Sequence, residues 1–304
     1  MEKRTLGNTS LDVSTLALGC MSLGTEKRQA EQIMDAALDL GINYLDTADL
    51  YDQGRNEELV GEVMKQKRNQ FVLATKVGNH LQDDGSWFWD PRKSYIKEQV
   101  KTSLQRLQTD YIDLYQLHGG TIEDPIDETI EAFEELVQEG VIRYYGISSI
   151  RPNVIDQYIK HSQISSIMMQ YSLLDRRPEE LLPTISSHSI SVVTRGSLAK
   201  GMLSTKGQEL VNRKGEKGYL DYEKGELTDT VRALSNLLRE RQTLTGLSLQ
   251  YILNQPGIAS VVAGASSPSQ LEENVYALEQ SFDNEQFTQA QRITKASQYQ
   301  AHRI

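Results

Sequence analysis

Asp46 and Tyr51 in NYLDTADLY, Lys76 in FVLATKV and His118 in YIDLYQLH lie at or near the ends of three successive short apolar runs. A carboxylate, a phenol, an ammonium and an imidazole brought to one place can give and take a proton. A phenol with a pKa of about 10 is a poor acid at neutral pH. An adjacent lysine ammonium stabilises the phenolate and lowers that value, and a carboxylate beside the lysine holds the ammonium in position. A tyrosine so supported can protonate a carbonyl oxygen, which is one half of a carbonyl reduction.

The elements that must position these groups read as alternating strands and helices. Strand-like runs are TLALG (15–19), NYLDT (43–47), FVLATKV (71–77), YIDLYQLH (111–118), VIRYYGIS (141–148), ISSIMMQY (164–171), ISVVTRG (190–196) and IASVVAG (258–264). They are mostly apolar rather than strictly alternating, as parallel strands covered on both faces should be. Between them lie amphipathic stretches. In 126–137, Ile126, Ile130, Phe133 and Val137 share one helical stripe, with Asp124 as the expected N-cap and Pro125 at the first helical position. Residues 4–13, with Gly7-Asn8-Thr9-Ser10 at the tip, read as an opening β-hairpin.

Eight such units without a composition break predict a single (β/α)8 TIM barrel spanning 1–304 as one domain, with the hairpin at its N-terminus. The doubly wound alternative usually opens with a glycine-rich strand-to-helix turn, and no G-x-G-x-x-G follows an early strand here. One connection departs from the short-loop rule. Residues 200–226 are rich in glycine and charge, read as a long loop after the seventh strand, and suggest a lid over the rim.

In a TIM barrel, polar residues at strand C-terminal ends face the active site. Asp46, Tyr51, Lys76 and His118 belong to strands two, three and four, which are neighbours. Singly, each has a bland reading: a capping Asp, a loop Tyr, a surface Lys, a satisfied core His. Four complementary groups at the same end of adjacent strands are much harder to attribute to chance.

Composition narrows the classes. The chain has 304 residues, 38% hydrophobic and 24% charged, a formal net charge of −10 and a single cysteine. The negative balance and the lack of basic blocks with interleaved aromatics argue against nucleic-acid binding. One cysteine excludes an internal disulfide and suits a reducing compartment. No segment resembles a signal peptide or a membrane span, so a cytoplasmic location is expected. No Cys/His cluster at metal-ligand spacing is visible.

The spacing in LDTADLY, the Lys in ATK and the His after DLYQL resemble the catalytic tetrad of the aldo-keto reductases. The resemblance runs from the hairpin to about residue 280 and is strengthened by VIRYYGISS, QYSLL and GASSPSQLEEN, in order. It implies that Tyr51 is the general acid, that Lys76 lowers its pKa, that Asp46 supports Lys76 and that His118 orients the carbonyl. It implies a nicotinamide cofactor, NADPH by family habit with NADH possible, and a small-molecule carbonyl substrate without an obligate protein partner.

Carried over residue by residue, it puts Ser148, Ser149 and Gln170 around the carboxamide. The family commonly has Ser-Asn where this chain has Ser148-Ser149. Arg195 stands where an aromatic platform for the nicotinamide is usual, and a planar guanidinium also stacks on flat rings. Gly196, Ser197 and Leu198 fall beside the pyrophosphate, with Lys200 as a charge partner or an ordinary solvated lysine. Cys20 and Met21 border the cofactor, as does Asp46. In GASSPSQLEEN, Ser267, Pro268 and Gln270 form a helix start, while Gly264, Ser266, Gln270, Glu273 and Asn274 match the adenine side. They read equally as helix-surface groups, and relatives often place Lys or Arg in this stretch.

On the substrate side, Trp87, Phe88 and Trp89 either wall a pocket at the rim or pack their own loop. In many relatives a Trp-Pro pair follows the histidine; here Gly119 and Gly120 do. Two other readings compete with the reductase: a cofactor-binding regulatory or interaction subunit with little catalysis, as in channel-associated members of the family, and a barrel hydrolase pairing Asp46 with Glu57 or Glu58.

Overall fold

The computed structural model describes residues 1–82 and 84–303. Strands β1 (Lys3–Thr5) and β2 (Asp12–Ser14) form an antiparallel hairpin. Then follow β3 (Leu16–Gly19), α1 (Lys27–Asp39), β4 (Tyr44–Asp46), α2 (Arg55–Met64) and β5 (Val72–Val77). A second antiparallel hairpin, β6 (Asn79–Leu81) with β7 (Trp87–Trp89), precedes α3 (Lys93–Leu107), β8 (Ile112–Leu117), α4 (Ile126–Gln138) and β9 (Ile142–Ser148). The chain continues through α5 (Pro152–His161), β10 (Ser166–Gln170), α6 (Leu182–Ser187), β11 (Ser191–Arg195), α7 (Gly207–Lys214), α8 (Lys224–Ser235), α9 (Leu244–Leu253), β12 (Ile258–Gly264), α10 (Pro268–Leu278) and α11 (Asn284–Ile293).

Strands β3, β4, β5, β8, β9, β10, β11 and β12 close into a parallel barrel in that order. This is the predicted (β/α)8 architecture, and closure excludes the doubly wound sheet. Strand periodicity of two explains its two cores. Ala17, Tyr44, Ala74, Leu114, Met168, Val193 and Ala259 fill the barrel interior, and Leu6, Leu11 and Val13 of the opening hairpin pack against them as a plug. Alternate residues, among them Leu16, Leu45, Leu73, Tyr115, Ile167 and Val192, face the surrounding helices. Where helix and neighbour approach most closely the sequence supplies glycine. A Cβ on Gly61 of α2 would stand 2.3 Å from the Arg106 carbonyl oxygen at the end of α3.

Two local expectations need correction. Helix α4 starts at Ile126, so Pro125 is its N-cap and no side chain caps it. Asp124 instead accepts from the Thr121 N–H (2.7 Å) and the Thr121 hydroxyl (2.7 Å) and from Trp89 Nε1 (2.9 Å). Residues 200–226 are not one long irregular loop. They contain α7, an antiparallel bridge between Tyr219 and Tyr222, and the first turn of α8. Buried Val211 and Leu227 anchor this pair of helices. Gly207 marks a close approach rather than slack, since its Cβ would lie 2.6 Å from the Met202 carbonyl oxygen. Among the described residues, no helix is long and apolar enough to cross a membrane, and no group of three or more His, Cys, Asp or Glu could hold a metal ion.

Candidate active site

The C-terminal ends of β4, β5 and β8 bring the four expected residues together. Lys76 is fully buried, and its Nζ donates to Asp46 Oδ2 (2.7 Å), to the Thr47 carbonyl (2.8 Å) and to the Tyr51 hydroxyl oxygen (3.4 Å). The Tyr51 and His118 rings meet edge to face with centroids 6.0 Å apart. After Tyr51 the chain takes the left-handed conformation at Asp52 (φ 47°) and Gln53 (φ 54°). Two consecutive non-glycine residues in that region store strain, and they turn the chain into α2 directly after the phenol.

Burial sets the electrostatics. For Lys76, loss of water disfavours the ammonium, but Asp46 and Tyr51 outweigh it, and the pKa rises above the ordinary lysine value. Burial pushes the Asp46 carboxyl up, while Lys76, Gln116 and Arg195 pull it back. Burial, helped by the positive charges of Lys76 and Arg195, holds His118 down at about 3. The imidazole is therefore neutral at physiological pH, and its Nδ1 is buried without a hydrogen-bond partner.

Two supporting groups, Asn56 and Thr47, were not singled out in the sequence. Asn56 donates Nδ2 to the Cys20 carbonyl (2.8 Å) and accepts from the Thr47 hydroxyl (2.7 Å), tying the end of β3 to the end of β4. Cys20 is buried, and burial raises its thiol pKa well above the ordinary value, so it packs as a small apolar residue. Glu57 is fully buried, accepting from Thr75 Oγ1 (2.7 Å) and facing Arg106. Glu58 is paired with Arg55 on the surface. Glu57 is committed to Thr75 and Arg106 and Glu58 to Arg55, which weighs against either as the partner of Asp46 in a paired-carboxylate hydrolase.

Around the rim, Ser148 and Ser149 are buried at the end of β9, and Met21 is exposed. Gln170 and Arg195 are register partners on β10 and β11, and Arg195 Nη1 donates to Gln170 Oε1 (3.0 Å). Gln170 donates Nε2 to Asp175 Oδ2 (2.8 Å), and Asp175 also accepts twice from Arg177 (2.7 and 2.8 Å). Gly196 is left-handed (φ +69°), and a Cβ there would press on Gln170. Ser197 is buried against Thr194 (3.0 Å), Leu198 is partly buried, and Lys200 is exposed with its ammonium 6.0 Å from the Tyr219 ring centre.

Helix α10 begins as expected: Ser267 is the N-cap, accepting from the Gln270 N–H (3.2 Å), and Pro268 follows. Gln270 turns back to accept from the Ser266 N–H (2.9 Å), one residue before the cap. Gly264, Ser266, Gln270 and Glu273 are exposed, whereas Asn274 is buried with Nδ2 unpartnered.

The three rim aromatics divide. Trp87 and Phe88 stand outward, with 54% and 42% of their surface exposed, whereas Trp89 turns in. A Cβ on Gly119 would lie 3.1 Å from the Trp89 ring and one on Gly78 2.6 Å. The large ring that Gly119-Gly120 omit is thus supplied from β7 and pinned by Asp124.

The sequence model of the Aldo/keto reductase family matches residues 15–295. The chain belongs to the aldo/keto reductase family. It is 58% identical over 307 residues to the uncharacterized oxidoreductase YqkF of Bacillus subtilis, covering all of both chains. It is 32% identical over 305 residues to the NADH-specific methylglyoxal reductase of Escherichia coli, covering 91% of this chain and 94% of that one. Among solved structures, the holo form of the aldo-keto reductase AKR11C1 from Bacillus halodurans superposes with a TM-score of 0.92 at 56% identity over all of both chains. Oxidoreductase chemistry on a TIM barrel follows from this membership.

Proposed function

We propose that this protein reduces aldehydes and ketones to alcohols with a reduced nicotinamide dinucleotide. The observation that carries the reading is the buried Lys76–Asp46 pair with the Tyr51 hydroxyl 3.4 Å from the ammonium. Tyr51 donates its proton to the carbonyl oxygen. Lys76, fixed by Asp46 and the Thr47 carbonyl, stabilises the phenolate left behind, and the phenolate regains a proton from solvent. His118, a neutral imidazole, donates an N–H to the same oxygen and orients the carbonyl. A bound reduced nicotinamide would supply the hydride that the carbonyl carbon accepts.

The residues present fit such a cofactor. Buried Ser148 and Ser149 with Gln170 offer a polar edge for the carboxamide, the left-handed Gly196 lets the backbone come close to the pyrophosphate, and unpartnered Asn274 Nδ2 offers a donor on the adenine side. Gly196, Ser197, Leu198 and Lys200 would flank the pyrophosphate; Gly264, Ser266, Gln270, Glu273 and Asn274 would flank the adenosine; Cys20, Met21 and Asp46 would border the bound cofactor. Trp89 and Trp87 bound the substrate side. NADPH is the cofactor proposed. NADH is the second reading, favoured by the lack of any Lys or Arg from Gly264 to Asn274 and consonant with the name of the Escherichia coli relative. The chain acts as one domain, and its single buried cysteine suits the cytoplasm.

The test is the loss of reduced-cofactor absorbance with a reactive aldehyde such as methylglyoxal, run with NADPH and NADH in parallel. Tyr51→Phe should cut turnover by at least a hundredfold while cofactor binding, read by fluorescence, persists. Equal rates in wild type and Tyr51→Phe would favour the binding-subunit reading.

A further inference from the structure

We propose that Asp175, held by Arg177, is a positioning residue that fixes the Gln170 amide with its oxygen toward the rim, as an acceptor for the N–H of the nicotinamide carboxamide. The inference rests on the reductase reading and deepens its cofactor side. Gln170 ends β10 and Arg195 ends β11, partners in register. Two residues on, the chain doubles back. Ser172 and Asp175 exchange backbone hydrogen bonds (3.2 and 3.0 Å), and the Ser172 hydroxyl accepts from the Leu174 N–H (3.2 Å). Leu173 and Leu174, at the tip of this turn, are buried. Apolar packing thus anchors the turn that returns Asp175 to the side of Gln170.

Donor and acceptor chemistry then leaves one orientation for the amide. A guanidinium can only donate, and an ionised carboxylate can only accept. Arg195 Nη1 lies 3.0 Å from one end of the Gln170 amide, and Asp175 Oδ2 lies 2.8 Å from the other. With the oxygen toward Arg195, both contacts are hydrogen bonds. With the amide turned over, N–H would face N–H and oxygen would face carboxylate. Asp175 cannot swing away from this task. Its side chain has no exposed surface, and Arg177 binds both of its oxygens (2.7 and 2.8 Å) while supplying the counter-charge that burial requires.

The oxygen is the end of the amide that meets the rim, because Arg195 is exposed and Asp175 is buried. Gln170 Oε1 accepts from Arg195 and, among the described residues, from no other group. An amide oxygen has two lone pairs, so one is left for a donor arriving from outside. A Cβ on Gly196 would lie 3.3 Å from Gln170 Cγ, so the missing side chain keeps this face of the glutamine open.

The experiment measures dissociation constants by quenching of protein fluorescence. The ligands are whichever reduced cofactor wild type binds more tightly, NADPH or NADH, and its 3-acetylpyridine analogue, which keeps the carbonyl and lacks the N–H. Wild type should favour the carboxamide roughly three- to tenfold, as one hydrogen bond contributes. Gln170→Leu and Asp175→Ala should each bring the ratio close to one, and the double variant should lower it no further. Asp175→Asn, which still offers an acceptor, should recover part of it. A disturbance of the fold alone would weaken both ligands alike and leave the ratio unmoved. Where Asp175→Ala does not fold, Asp175→Leu with Arg177→Met, which leaves no unpaired charge, is read in the same way. A ratio lost in Gln170→Leu but kept when Asp175 is replaced overturns the positioning role. A wild-type ratio at or below one, or one that Gln170→Leu keeps, overturns the carboxamide contact and the proposal with it. If wild type binds neither cofactor, the reductase reading itself has failed.

Discussion

The pairing of Lys76 with Asp46 makes a quantitative prediction. Their side chains are 0% and 5% exposed, and Asp46 Oδ1 has no hydrogen-bond partner at all. Replacing Lys76 with Met leaves a buried carboxylate without a counter-ion and deprives the Thr47 carbonyl of its donor. Replacing Asp46 with Asn leaves a buried ammonium in the same position. Each single change should cost about 3–5 kcal/mol, the usual range when one member of a buried pair is removed. Independent effects would therefore sum to about 6–10 kcal/mol, enough to unfold many proteins of ordinary stability. The double variant has no unpaired charge left and should cost only about 2–4 kcal/mol, so the coupling energy should reach about 2 kcal/mol or more. Urea denaturation of all four proteins at low temperature, followed by circular dichroism, measures this. Additivity within about 0.5 kcal/mol would refute the claim that Asp46 is present to hold the ammonium.

Three further predictions follow from the same geometry. His118 is depressed from 6.5 to about 3 in the folded protein, so the unfolded chain binds its proton first and stability is lost as pH falls through that window. Between pH 6.5 and 4 this amounts to at most roughly 3 kcal/mol, and denaturation of His118→Gln across that range should show a slope smaller by up to one proton; an identical slope would contradict a buried neutral imidazole. Gly61→Ala should destabilise by about 2 kcal/mol despite better helix propensity, because its Cβ meets backbone rather than a movable side chain; unchanged urea midpoints would show that α2 and α3 can separate freely. Arg195→Tyr should improve binding of the oxidised cofactor relative to the reduced form if, as proposed, the guanidinium lies beside the nicotinamide, where it would set positive charge against a ring that becomes cationic; equal affinities before and after substitution would dismiss that role.

What the sequence made legible depended on how local the governing physics was. The eight barrel strands were readable because both of their faces are covered, which writes each as an apolar run. Observed and expected bounds differ by at most two residues at an end, with β12 coinciding. The tetrad was readable because strand ends of neighbouring barrel strands must share a rim. The α7 helix was hidden because its buried contact is little more than Gly207 and Val211, too narrow a stripe against charged and glycine-rich surroundings.

The site's less legible residues are those whose meaning comes from a partner far away in the chain. Trp89 reads as one of three equivalent aromatics until β6 and β7 fold back, and only then does it fill the space above Gly119 and Gly78. Asp124 reads as a cap and is a clamp on that indole. Arg151, at the start of α5, meets the tail some 150 positions further on only after folding, when both line one cavity. The common factor is glycine: at Gly78, Gly119 and Gly120 the backbone has positive φ and no side chain of its own. The pocket wall at these positions is therefore made by residues from other loops. The proposed reaction type is written in the strand ends, where spacing is fixed by the barrel. The substrate side of the proposed reductase is built across loops that meet only after folding, and variants of Trp89 and Asp124 should accordingly change which carbonyl is reduced more than whether one is.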